Sequence, residues 1–193
     1  MPFKKLRRVS TALAVGAMVM AAPTAAMAAA CPPEHAMSKP FSVLGDFNDY
    51  FLAPGGDFEV GDPAWSYKED YGFALGRVDI FGGPRYLKLD GGAKATSPGF
   101  CVDNTYTHLR LFVDSTSNRA DLRVEAVKPD GTAVALTVLD GGEYADWSLT
   151  PFIPLAGPLN LGPGDAIENV KLRFWSIGRE IRVDAIAVDP YRR

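Results

Sequence analysis

A chain of 193 residues with 47% apolar side chains and a formal charge of −3 has the composition of a folded domain, not of a disordered or fibrous one. Its 20 basic and 23 acidic residues are interspersed. That argues against nucleic acid or another polyanion as partner, since such binders need a concentrated basic patch.

At the N-terminus, Lys4, Lys5, Arg7 and Arg8 precede an apolar run from Thr11 to Ala22 and the small-residue stretch Ala25-Ala26-Met27-Ala28. Residues 1–28 are read as a secretory signal peptide. The apolar run is about half of what a bilayer crossing needs, so no transmembrane anchor is expected. Arg7-Arg8 followed by Val9-Ser10 fits a twin-arginine signal poorly, which favours general secretion. Cleavage would leave 16 basic residues against 23 acidic ones, a formal charge of −7, on an exported protein, extracellular or associated with the cell surface.

The chain has two cysteines, Cys31 and Cys101, both in the exported part, where pairing is favoured. The expected disulfide would tie an N-terminal tail, residues 29–40, to a domain spanning residues 41–193. In the chain-entropy view it contributes about 4 kcal/mol. The rival reading makes Cys31 a lipid-carrying first residue. It would leave Cys101 unpaired, and Ala28 stands where such signals usually have Leu.

From Phe41 onward, short apolar or alternating runs are separated by turn signals, with 15 prolines and 19 glycines spread along the chain. No segment has a helical period. The pattern predicts strands over 57–60, 85–89, 105–113, 121–127, 133–139, 148–153, 170–177 and 180–188. About eight antiparallel strands suit an all-β jelly-roll sandwich. Hairpin turns are expected at Lys128-Pro129-Asp130-Gly131 and Ser176-Ile177-Gly178-Arg179.

In the closing strand, period two groups Asp184 with Ile186 and Val188. A carboxylate among such residues needs a partner. In the strand Thr105–Val113 the same rule sets Leu109, Leu111 and Val113 against Tyr106, His108 and Arg110. In Val170–Ile177 it sets Leu172 and Phe174 against Arg173 and Trp175. A flat ring beside fixed polar donors is the combination a pyranose needs. If the two strands share a sheet, Tyr106, His108, Arg110, Arg173 and Trp175 line one binding face. The competing reading packs Trp175 under a loop and leaves the arginines as solvated edge charges. Trp65 and Trp147 are read as core residues.

Two motifs carry a family resemblance. Gly55-Gly56-Asp57-Phe58-Glu59-Val60-Gly61 followed by Trp65, and Ile181-Arg182-Val183-Asp184-Ala185-Ile186-Ala187-Val188-Asp189-Pro190, resemble the opening and closing strands of galactose-binding-like jelly rolls of the carbohydrate-binding-module type. The chain also resembles small exported proteins of high-GC actinobacteria. The family resemblance implies a non-catalytic module that recognises carbohydrate of an envelope or extracellular polymer. It also implies a structural calcium ion at Glu59 and Asp184, with the turn around Gly61 supplying further oxygens. Ala185 departs from the pattern, since relatives often have Asp or Asn there. The alternative for Asp184 is a salt bridge to Arg182 or Arg77.

His35 and His108 fall in no metal-binding run, and no nucleophile elbow or phosphate-binding loop is present. Carboxylates suffice in number for a glycosidase pair, but spacing singles out none. The expectation is therefore a binding module, with a structural or protein-interaction sandwich of the cell surface as the alternative. Exposure of Tyr106 or Trp175 separates the two.

Overall fold

The computed structural model describes residues 31, 36–59, 65–68, 71–75 and 85–190. The proposed signal segment, His35, Val60, Gly61 and Arg77 lie outside the described residues. Among the described residues the strands are β1 (Phe51–Leu52), β2 (Ser66–Lys68), β3 (Tyr71–Leu75), β4 (Arg85–Leu89), β5 (Lys94–Thr96), β6 (Phe100–Asp103) and β7 (Tyr106–Ser115). They continue with β8 (Asp121–Val127), β9 (Ala133–Asp140), β10 (Ser148–Leu149), β11 (Ile153–Pro154), β12 (Ala166–Ile177) and β13 (Ile181–Pro190).

Two antiparallel sheets form a jelly-roll sandwich. One runs β10-β7-β13-β4-β3, with β1 on β13 and β11 on β7; the other runs β2-β5-β12-β8-β9, with β6 on β12. The inward alternation of β8 (Leu122, Val124, Ala126) meets that of β7 (Leu109, Leu111, Val113), and all six side chains are buried in one core. Trp65 packs in that core between Phe58, 5.2 Å away, and Phe174, 5.8 Å away, and its indole N–H donates to the Pro54 carbonyl.

The expected strand over 57–60 is a correction. Residues 54–57 form a turn, and Phe58 follows with φ +55°. The reason is a close approach: a Cβ on Gly56 would lie 3.0 Å from both the Cβ and the carbonyl oxygen of Ile186. Backbone bonds from Ala53 N–H to the Ile186 carbonyl and from Ile186 N–H to the Gly56 carbonyl fix this contact.

A second correction concerns β13. Between Asp184 and Ala187 the register against β7 shifts, and Ala185 has φ +49°. A bulge of this kind reverses the alternation. Ile186 and Val188 therefore join Ile181 and Val183 in the core, while Ala185 and Ala187 face outward. Asp184 does not share its face with Ile186 and Val188.

The outward face of the β7-β13 sheet is covered from the N-terminal side. Phe41 and Tyr50, both fully buried, form a second apolar cluster there with Phe112, Ala185 and Ala187. A Ser38–Tyr50 bridge holds the covering segment. Cys31 is bonded to Cys101, which ties the same N-terminal region to β6.

Candidate functional site

Sheet membership separates the residues that the sequence grouped. β7 belongs to one sheet and β12 to the other, so His108 and Arg110 cannot line a face with Arg173 and Trp175. Tyr106 is a further correction. The register against β13 breaks between the His108 and Tyr106 pairings, so Tyr106 turns inward, is 1% exposed and packs on Phe51 at 5.3 Å. It is a core residue, not a ligand contact.

Arg173 and Trp175 point outward from β12, because Leu172, Phe174 and Ser176 fill the inward positions. Register defines what surrounds them. Trp175 lies opposite Lys94 of β5 and Arg123 of β8, with Lys68 and Val138 completing the row on β2 and β9. The Lys94 ammonium sits 3.9 Å from the Trp175 ring centroid, and the Arg123 guanidinium lies 5.8 Å from it. In the neighbouring row Arg173 lies opposite Thr96 and Glu125, and Ser66 opposite Thr96. Glu125 is 3% exposed and pairs with both Arg123, at 2.7 Å, and Arg173. One buried carboxylate thus holds two guanidiniums in place on a sheet face that no segment among the described residues covers. At the β2 edge, Lys68, Lys94, Arg173, Ser66, Tyr67 and Thr96 line a shallow groove of about 290 Å³.

Chemically, this face combines an indole ring, hydroxyls and oriented guanidinium donors, the set that stacks on a sugar ring and reads its hydroxyls. Lys94 and Arg123 escaped the sequence reading because only register brings them beside Trp175.

His108 and Arg110 occupy the covered face of the other sheet. Arg110 binds Asp46 at 2.7 Å and the Thr150 carbonyl at 2.8 Å. Asp46 also accepts from the Tyr50 hydroxyl at 2.6 Å. Burial and the Asp46 charge together push the Tyr50 phenol well above its ordinary range. His108 Nε2 lies 3.2 Å from Asp189 Oδ2, and Nδ1 lies 3.0 Å from the Thr107 hydroxyl. Burial pulls the imidazole down to about 4, and burial with the Asp46 and Asp49 charges pushes Asp189 up to about 6. Beside Arg110, a groove of about 500 Å³ is lined by Leu44, Phe47, Asn48 and Phe152. Phe47 is 68% and Phe152 55% exposed. The sequence reading missed Asp46 and Phe47, which lie in a segment without an alternating pattern, and Phe152, which falls within the expected strand over 148–153 but stands between β10 and β11.

Asp184 and Glu59 lie close enough to interact electrostatically, and Asp57 joins them. Asp184 is 3% exposed and accepts from the Ala185 N–H at 2.7 Å. Burial and the two neighbouring carboxylates raise its carboxyl to about 8. Arg182 is not its partner, because it is held by Asp114 at 2.8 Å and Glu180 at 2.9 Å. One Glu59 oxygen accepts from the Arg85 N–H. Among the described residues no three of His, Cys, Asp and Glu converge to hold a metal ion. A cation here would rest on Asp184, Glu59 and backbone carbonyls.

Among the described residues no helix is long and apolar enough to cross a membrane. No protein-family model matches the chain, and no curated protein matches it. Solved structures resemble it in fold. The C-terminal family 6 carbohydrate-binding module of a Zobellia galactanivorans laminarinase has 12% identity and a TM-score of 0.44, covering 64% of this chain and 90% of its own. The family 11 carbohydrate-binding module of a cellulosomal cellulase from Clostridium thermocellum has 14% identity and a TM-score of 0.45, covering 73% and 94%. A family 61 module in complex with β-1,4-galactotriose has 12% identity and a TM-score of 0.44, covering 72% and 97%.

Proposed function

We propose that this protein is an exported, non-catalytic binding module that recognises carbohydrate of an envelope or extracellular polymer. Its contact surface is the outward face of the β2-β5-β12-β8-β9 sheet. The observation that carries this reading is Trp175, set outward at the centre of the sheet between Lys94 and Arg123, with no covering segment among the described residues. The Glu125-braced Arg173 lies in the next row. Ring stacking supplies affinity and the fixed donors supply orientation.

The test is retention on a panel of insoluble polysaccharides and cell-wall fractions, comparing the native protein with Trp175→Ala. Retention lost in the variant, with unchanged melting, is the expected result. Retention on no polymer would overturn the glycan role.

A second reading, a structural or protein-interaction sandwich of the cell surface, is favoured by the exposed Phe47, Phe152 and Leu44 beside Arg110. In that case Phe152→Ala, and not Trp175→Ala, removes association with the envelope.

Calcium enters as a proposal about stability. What supports it is a buried carboxylate, Asp184, whose charged neighbours Glu59 and Asp57 are both negative. A bound ion would have the Asp184 and Glu59 carboxylates as hard-oxygen ligands, with backbone carbonyls of the turn around Gly61 completing the shell. Calcium is then expected to raise the melting temperature of the native protein and not that of Asp184→Asn. Identical melting in calcium and in chelator would remove the ion from the reading.

A further inference from the structure

The charge on this chain is unevenly placed. The exported part carries 16 basic against 23 acidic residues, yet one sheet face collects cations. In three neighbouring rows of the β2-β5-β12-β8-β9 sheet, the outward positions among the described residues hold Lys94, Lys171, Arg123 and Arg173 against one carboxylate, Glu125, with Lys68, which has a contact of its own, at the end of the central row. Of the remaining acids on β8, β9 and β12, Asp121 and Asp140 sit together opposite Ile177 at one end of the face, and Glu168 is exposed at the other, three residues before Lys171. Glu125 is buried beneath Arg123 and Arg173, so its charge is spent on positioning them. Among the described residues neither Lys94 nor Lys171 has an ion-pair partner.

The central row crosses five strands, from Lys68 through Lys94, Trp175 and Arg123 to Val138. Four inter-strand steps give it a length of roughly 19 Å. That is a strip for a chain, not a pocket for one small ion. A neutral polymer laid on it would strip water from lysines without returning a charge. An anionic polymer restores that loss, and guanidiniums held by Glu125 can offer their remaining N–H groups to a carboxylate.

We propose that the outward face of this sheet binds an anionic glycan, a polysaccharide bearing carboxylates along its length, with Trp175 under a sugar ring and Lys94, Lys171 and the arginine pair on the acidic groups. The inference rests on the glycan-binding role argued above and names its ligand class. The even scatter of charge along the sequence argued against polyanions; register, which the sequence does not display, concentrates the cations. Nucleic acid fits less well, because single-strand binders lay successive bases on several aromatic platforms, whereas this row has one indole.

The experiment measures affinity of the full chain, disulfide intact, for polygalacturonate, its methyl ester, a neutral galactan and single-stranded DNA. Polygalacturonate is expected to bind about tenfold or more tighter than the ester. That affinity should fall as salt rises from about 50 to 300 mM. Lys94→Gln with Lys171→Gln is expected to weaken binding to the acid polymer about fivefold or more, while melting stays unchanged. Equal affinity for acid, ester and neutral polymers would overturn this inference and leave the glycan role standing. No affinity for any glycan would overturn both. Tighter binding to DNA than to polygalacturonate would overturn the ligand class in favour of nucleic acid.

Discussion

The two outward faces of this sandwich are built from similar residue types and used in opposite ways. On the β7-β13 sheet, aromatic and charged side chains are closed over: Phe41 and Tyr50 are buried, Arg110 is bound to Asp46 and the Thr150 carbonyl, and His108 lies against Asp189. On the β12 sheet, Trp175 and its cations have no covering segment among the described residues. The difference is one of solvation. A charged group under a cover must be paired within the fold, whereas charges on an open face can be matched by a partner brought from outside. Arginine and aromatic residues therefore do not mark a binding face by type. What marks it is whether the fold has already satisfied them.

That contrast is broken most directly by removing one ring from each face. Phe41→Ala empties a fully buried site against Tyr50 and Phe112 and is expected to cost about 3–5 kcal/mol of stability. Trp175→Ala removes a partly exposed ring whose main contacts are cationic, and is expected to cost under about 1 kcal/mol. Urea denaturation of both variants measures the difference. Equal costs would mean that Trp175 is structural and that the open face is not a recognition surface.

The sequence displayed the alternating core of β8 and the ends of β4 and β8, because each rests on local period and turn chemistry. Cys31 and Cys101 were legible for a simpler reason: the sequence has two cysteines, which can pair only with each other. The turn at Gly55-Gly56 was hidden, because its cause is the close approach of Ile186, far along the chain. The outward turn of Ala185 and the inward turn of Tyr106 were hidden as well, since each follows from a register shift between β7 and β13. For the candidate site, Trp175 and Arg173 were found from their own strand. Lys94, Arg123 and Glu125 were not, because cross-strand neighbours are set by pairing and not by spacing.

A smaller effect sharpens the comparison from the covered side. Burial pulls His108 down to about 4 from an ordinary value of 6.5. The unfolded chain therefore takes up that proton first, and the histidine lowers stability as pH falls from about 6.5 towards 4. Asp189 is pushed up to about 6 from 3.8. There the folded chain takes up the proton first, so the aspartate raises stability as pH falls through 6, and that gain is lost again as pH rises. In the native protein the two slopes oppose each other. His108→Gln leaves the aspartate alone, and its stability relative to the native protein is expected to rise from pH 7 to pH 4. Asp189→Asn leaves the histidine alone, and its relative stability is expected to fall over the same range. Each change should be about 1–2 kcal/mol, below the full linkage value because both groups relax towards water in the variants. Denaturant midpoints across pH 4–7 read the slopes. Opposite signs follow only if both groups are desolvated under the Phe41–Tyr50 cover. Flat profiles in both variants would mean that water reaches this face as freely as it reaches Trp175, and the distinction between the two faces would fail.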